Sequence, residues 1–66
     1  MEITVNGLKK VLEEPLNLLQ LLDALDLKAD RCAIELNRQL VARTSWATTS
    51  IRQGDELEIV QFVGGG

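Results

Sequence analysis

The sequence of 66 residues contains no histidine, no tyrosine and one cysteine. A single thiol without histidine can form neither an internal disulfide nor a zinc site built from Cys and His ligands. General acid–base catalysis usually relies on histidine or on carboxylates in unusual surroundings, and the carboxylates here fall mainly in predicted turns and solvent-facing positions. We therefore expect a reactant or a binding module, not an enzyme, with no bound metal or cofactor.

Aromatic residues and positive charge are also scarce. Trp46 and Phe62 are the only aromatic side chains, and the formal net charge is −3. Nucleic-acid binding would favour a basic face and aromatic stacking platforms. No apolar run approaches the length of a membrane span, and the N-terminal residues alternate in polarity, unlike a signal peptide. With a lone thiol, these features predict a cytoplasmic protein without nucleic-acid or membrane partners.

The most distinctive stretch is the C-terminal one. Residues 57–63 are apolar and β-branched enough to predict a buried strand, and Gly64, Gly65 and Gly66 follow it directly. A glycine string can enter a slot that any Cβ would block. We interpret residues 1–63 as a domain and 64–66 as a flexible tail whose terminal carboxylate, on Gly66, could be activated by ATP and attacked by sulfur. A frayed terminus or an expression scar is the alternative.

The first half of the chain predicts a hairpin. Residues 2–5 alternate in polarity and the Asn-Gly pair at 6–7 is the strongest short hairpin signal. The returning strand is predicted at 9–12. A two-residue turn would give Val11 the wrong phase for the inner face, so we expect a bulge or a longer turn.

A helix follows the single proline. Asn17 is a good N-cap and Gln20 occupies the capping-box position. The helical spacing of four leucines predicts an apolar stripe that covers a sheet: Leu18, Leu21, Leu22 and Leu25. The C-terminal signal is weak because no glycine follows Asp26, and we place the end at 25–27.

The second half predicts three more strands. Residues 32–36 alternate, Asn37 can adopt positive φ in a turn, and 40–42 form a short strand. Residues 43–50 predict a loop with one short helical turn, and 53–55 a polar turn before the last strand. The order predicts an α+β domain: a mixed sheet of four to five strands with one main helix on one face, and the last strand central and parallel to the first. This is the β-grasp, or ubiquitin-like, arrangement.

One helix can cover only one face of that sheet, yet the last strand is apolar on both faces. Its inner set is Leu57, Ile59 and Val63, and its outer set is Val60 and Phe62. We interpret Val60 and Phe62 as an exposed partner-docking patch beside the tail. The alternative is that the loop at 43–50 folds over them.

Two other residues invite a functional interpretation. Cys32 could relay sulfur, but it shares its strand phase with Ile34 and Leu36, which favours a core thiol. Trp46 could face a partner, and an anchor for its loop is the interpretation we favour.

Four segments together resemble a known family: ITVNG near the start, LNLLQLL in the helix, AIELNRQLVARTSW in the middle and GDELEIVQFVGGG at the end. They resemble the sulfur-carrier family of thiamine thiazole biosynthesis across essentially the whole chain. The run from Gly54 and Asp55 into the terminal glycines is the most specific part. The family often has Asn-Gly where this chain has Asn37 and Arg38, which bears on turn shape and not on chemistry.

The resemblance implies a function. Gly66 would be adenylylated by an E1-like adenylyltransferase that uses ATP and magnesium, and then converted to a thiocarboxylate with sulfur from a cysteine desulfurase relay. Thiazole synthase would receive that sulfur. Gly64 and Gly65 would enter the partner active sites.

Three rival functions stay open. The sulfur carrier of molybdopterin synthase shares the fold and a double-glycine end, although those chains are usually longer. A ubiquitin-like modifier uses the same activation but ends in an isopeptide bond. A β-grasp interaction adaptor would have an idle tail. A plant-type iron–sulfur ferredoxin is excluded because it needs four cysteine ligands.

Overall fold

A computed structural model describes residues 1–63, and the predictions for Gly64, Gly65 and Gly66 lie outside the described residues. The elements are β1 Glu2–Val5, β2 Leu8–Val11, α1 Leu18–Ala24, β3 Cys32–Leu36, β4 Gln39–Val41 and β5 Glu56–Gln61, with 3-10 helices at Ala29–Arg31 and Arg43–Thr48. The sheet order is β2-β1-β5-β3-β4. β1 and β5 are parallel and the other neighbours are antiparallel. The predicted α+β β-grasp fold, with the last strand at its centre, is confirmed.

The first hairpin has a two-residue turn and no bulge, so the predicted irregularity is wrong. Asn6 and Gly7 have φ of 51° and 82°, the positive values that a tight hairpin turn requires. The register runs unbroken from Val5↔Leu8 to Glu2↔Val11. Val11 points to the outer face and is 72% exposed. An exposed apolar side chain on an edge strand costs little, which is why the phase of Val11 did not control the register.

Helix α1 begins as predicted. The Asn17 side chain accepts a hydrogen bond from the Gln20 N–H at 2.7 Å, and the Gln20 side chain accepts from the Asn17 N–H at 2.9 Å. This reciprocal pair satisfies two of the donors that a helix start leaves free. Three leucines of the predicted stripe are buried, while the fourth packs partly buried against the core: Leu18, Leu21, Leu22 and Leu25.

The helix ends at Ala24, one residue before the predicted range of 25–27, with Leu25 as its C-cap. Asp26 takes the left-handed conformation, with φ of 59°, that glycine usually provides. The Leu27 N–H bonds the carbonyl of Leu22 at 2.9 Å and the Asp26 N–H bonds that of Asp23 at 3.0 Å. These two bonds form a Schellman motif, so the stop is well built although its sequence signal is weak.

The second hairpin turns at Asn37 and Arg38, whose φ values are 50° and 70°. The predicted positive φ at Asn37 is confirmed, and β4 begins and ends one residue earlier than the predicted 40–42. The predicted helical turn in 43–50 is the second 3-10 helix. Trp46 in that helix is buried, and its indole N–H donates to the Val41 carbonyl at 3.0 Å. It is the anchor that the sequence favours.

The core lies between α1 and the inner face of the sheet. Its buried residues are Ile3, Val5, Leu18, Leu21, Leu22, Cys32, Ile34, Trp46, Ile51, Leu57 and Ile59. Cys32 is therefore a core thiol, as predicted. The last strand ends at Gln61 and not at residue 63, and Val63 is 95% exposed although we predicted it on the inner face. The pairing with β3 ends at Cys32↔Gln61, so the sheet provides no inner face that far along.

Residues 1–63 contain neither a helix that could span a membrane nor a cluster of metal ligands. No helix there has the length and apolarity needed to cross a bilayer. No group of acidic or cysteine side chains within the same residues could hold a metal ion.

Candidate functional site

β5 is held on both sides along its first part and by β3 alone at its end. On the side of β3, the ladder runs from Leu36↔Leu57 to Cys32↔Gln61 and is extended by the Phe62 N–H, which bonds the Arg31 carbonyl at 2.7 Å. On the side of β1, the pairing is short and ends at Val5↔Leu57. The chain is therefore directed by the sheet as far as Phe62, two residues before the glycines.

Asn6 extends the short β1 side by one more position. Its side-chain carbonyl accepts from the Ile59 N–H at 2.7 Å and its amide donates to the Ile59 carbonyl at 3.1 Å. The amide thus replaces the strand neighbour that β1 no longer provides once it turns into the hairpin. The sequence signalled Asn6 only as a turn residue, because its partner lies 53 positions away.

Asn37 plays a comparable part at the other end of β5. Its side-chain oxygen accepts from the Glu56 N–H at 2.9 Å, and its amide donates to the Asp55 carboxylate at 3.1 Å. The backbone N–H of Asn37 also bonds the Glu56 carbonyl at 2.8 Å. Two hairpin asparagines at positive φ therefore fix the start and the middle of the strand that leads to the tail.

The predicted patch residues are exposed. Val60 is 54% and Phe62 56% exposed, on the face opposite α1. The alternative, in which residues 43–50 cover them, is wrong: that segment contacts α1 and buries Trp46 in the core on the other side of the sheet. Large apolar side chains that stay exposed on a sheet face suit protein contacts.

The outer face around Val60 contains a shallow depression of about 290 Å³, whose lining residues are Ala33, Glu35, Leu40, Glu58 and Val60. Leu40 is 74% exposed, and the sequence pattern did not predict it as a docking residue. We call Leu40, Val60 and Phe62 the outer patch. β3 lies between β4 and β5, and its register with both strands, which no local pattern specifies, brings Leu40 and Val60 to the same depression.

Two carboxylates interrupt the outer patch. Glu35 and Glu58 are register partners across β3 and β5. Like charges placed directly opposite each other are destabilising. Within residues 1–63, the one ion pair is the exposed contact of Lys9 with Glu2 at 3.8 Å, so neither of these carboxylates is neutralised there. The patch is apolar with an acidic centre.

Comparison with known proteins assigns the chain to a family. The model of the ThiS family matches residues 1–66, the full length of the chain. The chain belongs to the ThiS family. The match includes Gly64, Gly65 and Gly66, on which the predicted chemistry depends.

Solved and curated relatives agree with membership of the ThiS family. The crystal structure of the thiamine biosynthesis protein ThiS from Geobacter metallireducens superposes with a TM-score of 0.85 at 36% identity, with both chains fully covered. The sulfur carrier protein ThiS of Escherichia coli is 34% identical over 47 residues, which is 71% of each chain. The fold of this chain is therefore the fold of a ThiS protein.

Another relative in the ThiS comparison is much longer than this chain. A thiazole synthase of Paramagnetospirillum magneticum is 33% identical over all 66 residues, and the chain spans only 20% of its length. The protein ycf40 of Porphyra purpurea is 39% identical over 66 residues and is covered to 93%. In the longer protein, a ThiS-like segment and a larger remainder share one polypeptide.

Proposed function

We propose that this protein is the sulfur carrier of thiamine thiazole biosynthesis, with the Gly66 carboxylate as the carrier group. The match of the family model to the whole chain, including the glycine end, carries the proposal. The protein is a co-substrate and not a catalyst, and it works in the cytoplasm. An E1-like adenylyltransferase supplies ATP, magnesium and the catalytic groups, and thiazole synthase consumes the sulfur.

The proposed chemistry converts the C-terminal carboxylate in three steps. The carboxylate oxygen of Gly66 attacks the α-phosphate of ATP, which releases pyrophosphate and leaves an acyl-adenylate. A persulfide from a cysteine desulfurase relay then attacks the carbonyl and displaces AMP, and a second thiol cleaves the S–S bond to leave the thiocarboxylate. Gly64 and Gly65 serve as the narrow leader into each partner site, since they carry no side chain.

The outer patch is the proposed docking surface. Val60 and Phe62 stand six and four residues before Gly66, so a partner that binds them holds the reacting end nearby. The like-charged pair Glu35 and Glu58 favours a partner with arginine or lysine at the centre of its contact. The length of the thiazole synthase relative supports the choice of partner, because there a segment similar to this chain is already tethered to a thiazole synthase.

Mass spectrometry of the intact chain tests the chemistry. Incubation with the adenylyltransferase, ATP, magnesium and a persulfide source should replace one terminal oxygen with sulfur. A chain without Gly65 and Gly66 should show no replacement, although its fold is kept. An unchanged mass for the full chain, or equal function of the shortened one, favours an adaptor with an idle tail.

Substitution of Phe62 tests the docking surface. Phe62→Asp should weaken binding to thiazole synthase at least about tenfold, because a buried apolar contact is replaced by an unpaired charge. Val63→Asp, at a neighbouring exposed position outside the patch, is the matched control and should have a smaller effect. Equal affinities for both variants and the unchanged chain would remove the outer patch from the proposal.

A further inference from the structure

β5 has one edge that its neighbours leave open, and its position follows from the hydrogen-bond alternation. The Phe62 N–H bonds the Arg31 carbonyl on the side of β3, and the Asn37 N–H bonds the Glu56 carbonyl on the same side. Backbone groups alternate in direction along a strand. Gln61 is the register partner of Cys32, directly next to the hydrogen-bonded pair of Phe62 and Arg31. Its own N–H and C=O therefore point away from β3.

The opposite side of β5 is occupied only as far as Ile59. The Asp55 carbonyl accepts from the Thr4 N–H at 3.0 Å and the Leu57 carbonyl from the Asn6 N–H at 2.8 Å. The Asn6 side chain then satisfies both backbone groups of Ile59. β1 has turned away by this point, and within residues 1–63 no strand lies beside Gln61 on that side.

We propose that thiazole synthase adds an extended segment of its own chain to this edge, as a strand paired with the backbone of Gln61. The inference rests on the proposed function, because it takes thiazole synthase as the partner. Strand addition uses backbone bonds for affinity and neighbouring side chains for specificity. Here Phe62, adjacent and half exposed, supplies the side-chain contact.

The other two open edges of the sheet are poorer sites for the same segment. β2 carries Lys9 and Lys10, and lysine on an edge strand opposes pairing with another chain. β4 has three residues and leads at once into the 3-10 helix. Only the edge at Gln61 lies next to the reacting end, so pairing there would also straighten the chain that leads to Gly66.

Backbone methylation provides the sharpest test, because it removes one N–H and leaves every side chain in place. The chain can be assembled by ligation at Cys32, with residues 1–31 and 32–66 made synthetically. An N-methyl group at Gln61 should weaken binding to thiazole synthase at least about tenfold, since it deletes a hydrogen bond and occupies the space of the added strand. N-methyl Lys9 is the matched control, because the register of β1 with β2 directs its N–H to the outer edge of the sheet.

Four results decide the matter. Loss of affinity with N-methyl Gln61 but not with N-methyl Lys9, together with slower hydrogen exchange of the Gln61 amide in the complex, supports strand addition. Equal affinities of the two methylated chains and the unmodified one overturn it, as does an unchanged Gln61 exchange rate in the complex. Absence of any binding of the unmodified chain to thiazole synthase overturns it too. Failure of the proposed function is seen separately, as no replacement of oxygen by sulfur in the unmodified chain.

Discussion

Removal of the Asn6 side chain should destabilise the domain by separating the tail-bearing strand from its support. Asn6→Gly keeps the backbone at a positive φ of 51° without strain, so it isolates the two bonds to Ile59. Each bond contributes about 0.5–1.5 kcal/mol net, which gives a loss of about 1–3 kcal/mol. Asn6→Ala adds about 1 kcal/mol or more, since alanine is disfavoured in the left-handed region.

The magnitude matters because a domain of this size has a small reserve of stability. At about 0.05–0.15 kcal/mol per residue, 66 residues give about 3–10 kcal/mol in total. Urea denaturation followed by Trp46 fluorescence measures the free energy of unfolding of each variant. Native-state hydrogen exchange should show faster exchange of the Ile59 amide in Asn6→Gly.

Asn37→Gly is the matched control for this experiment. Asn37 has nearly the same φ, 50°, but its side-chain bonds to Glu56 and Asp55 are exposed to solvent, where water can replace them. We expect a smaller loss, below about 1 kcal/mol. If Asn6→Gly matched the unchanged protein within about 0.3 kcal/mol, or if Asn37→Gly cost more, the reasoning about the Ile59 support would be refuted.

Three further substitutions or probes test the core and the turns. Asn17→Ala should lower the free energy of unfolding by about 1 kcal/mol through loss of the capping box, and Asn17→Ser should restore most of it. Cys32 is 2% exposed, so a thiol reagent should modify it only as fast as the domain opens; rapid labelling without denaturant would contradict its burial. Gly54→Ala should cost about 1 kcal/mol in urea denaturation from its φ of 85° alone, because a Cβ there meets no atom within 4 Å; Gly54→Asn should cost less.

Local signals predicted the elements whose physics is local. The capping box at Asn17 and the leucine stripe involve residues within two helical turns, and the Asn-Gly turn at 6–7 depends on the φ preferences of two residues. Alternation in 32–36 placed Cys32 in the core. The central position of β5 followed from its apolar content and from the handedness of the crossover.

The wrong and missing predictions concern features that depend on contacts between residues far apart in the sequence or on exposure to solvent. Val11 suggested a bulge, yet the register of an edge strand is set by the turn and by Ile3 and Val5, not by one exposed valine. The strand signal continued to Val63, but pairing stops at Gln61, where β3 begins. The hydrogen bonds between the Asn6 side chain and the Ile59 backbone join positions far apart in the chain, so no periodicity could indicate them.

The candidate site also combines residues that the sequence could predict with residues that it could not. Val60 and Phe62 could be predicted as exposed because alternation along one strand fixes which face each residue takes. Leu40 and the opposed carboxylates of Glu35 and Glu58 depend on how β3 aligns with β4 and β5. Alternation along the sequence predicts which face of a strand each residue takes. It does not predict which residues of the adjacent strands lie beside it.

Among the strands of residues 1–63, the last to be translated is the one that holds the sheet together. Without β5, the remaining strands form two separate hairpins, β1 with β2 and β3 with β4, and an isolated hairpin is marginally stable in water. During synthesis, the domain therefore stays unfolded until residues 56–61 have left the ribosome. A chain interrupted earlier would be open to proteolysis, so every folded molecule includes β5.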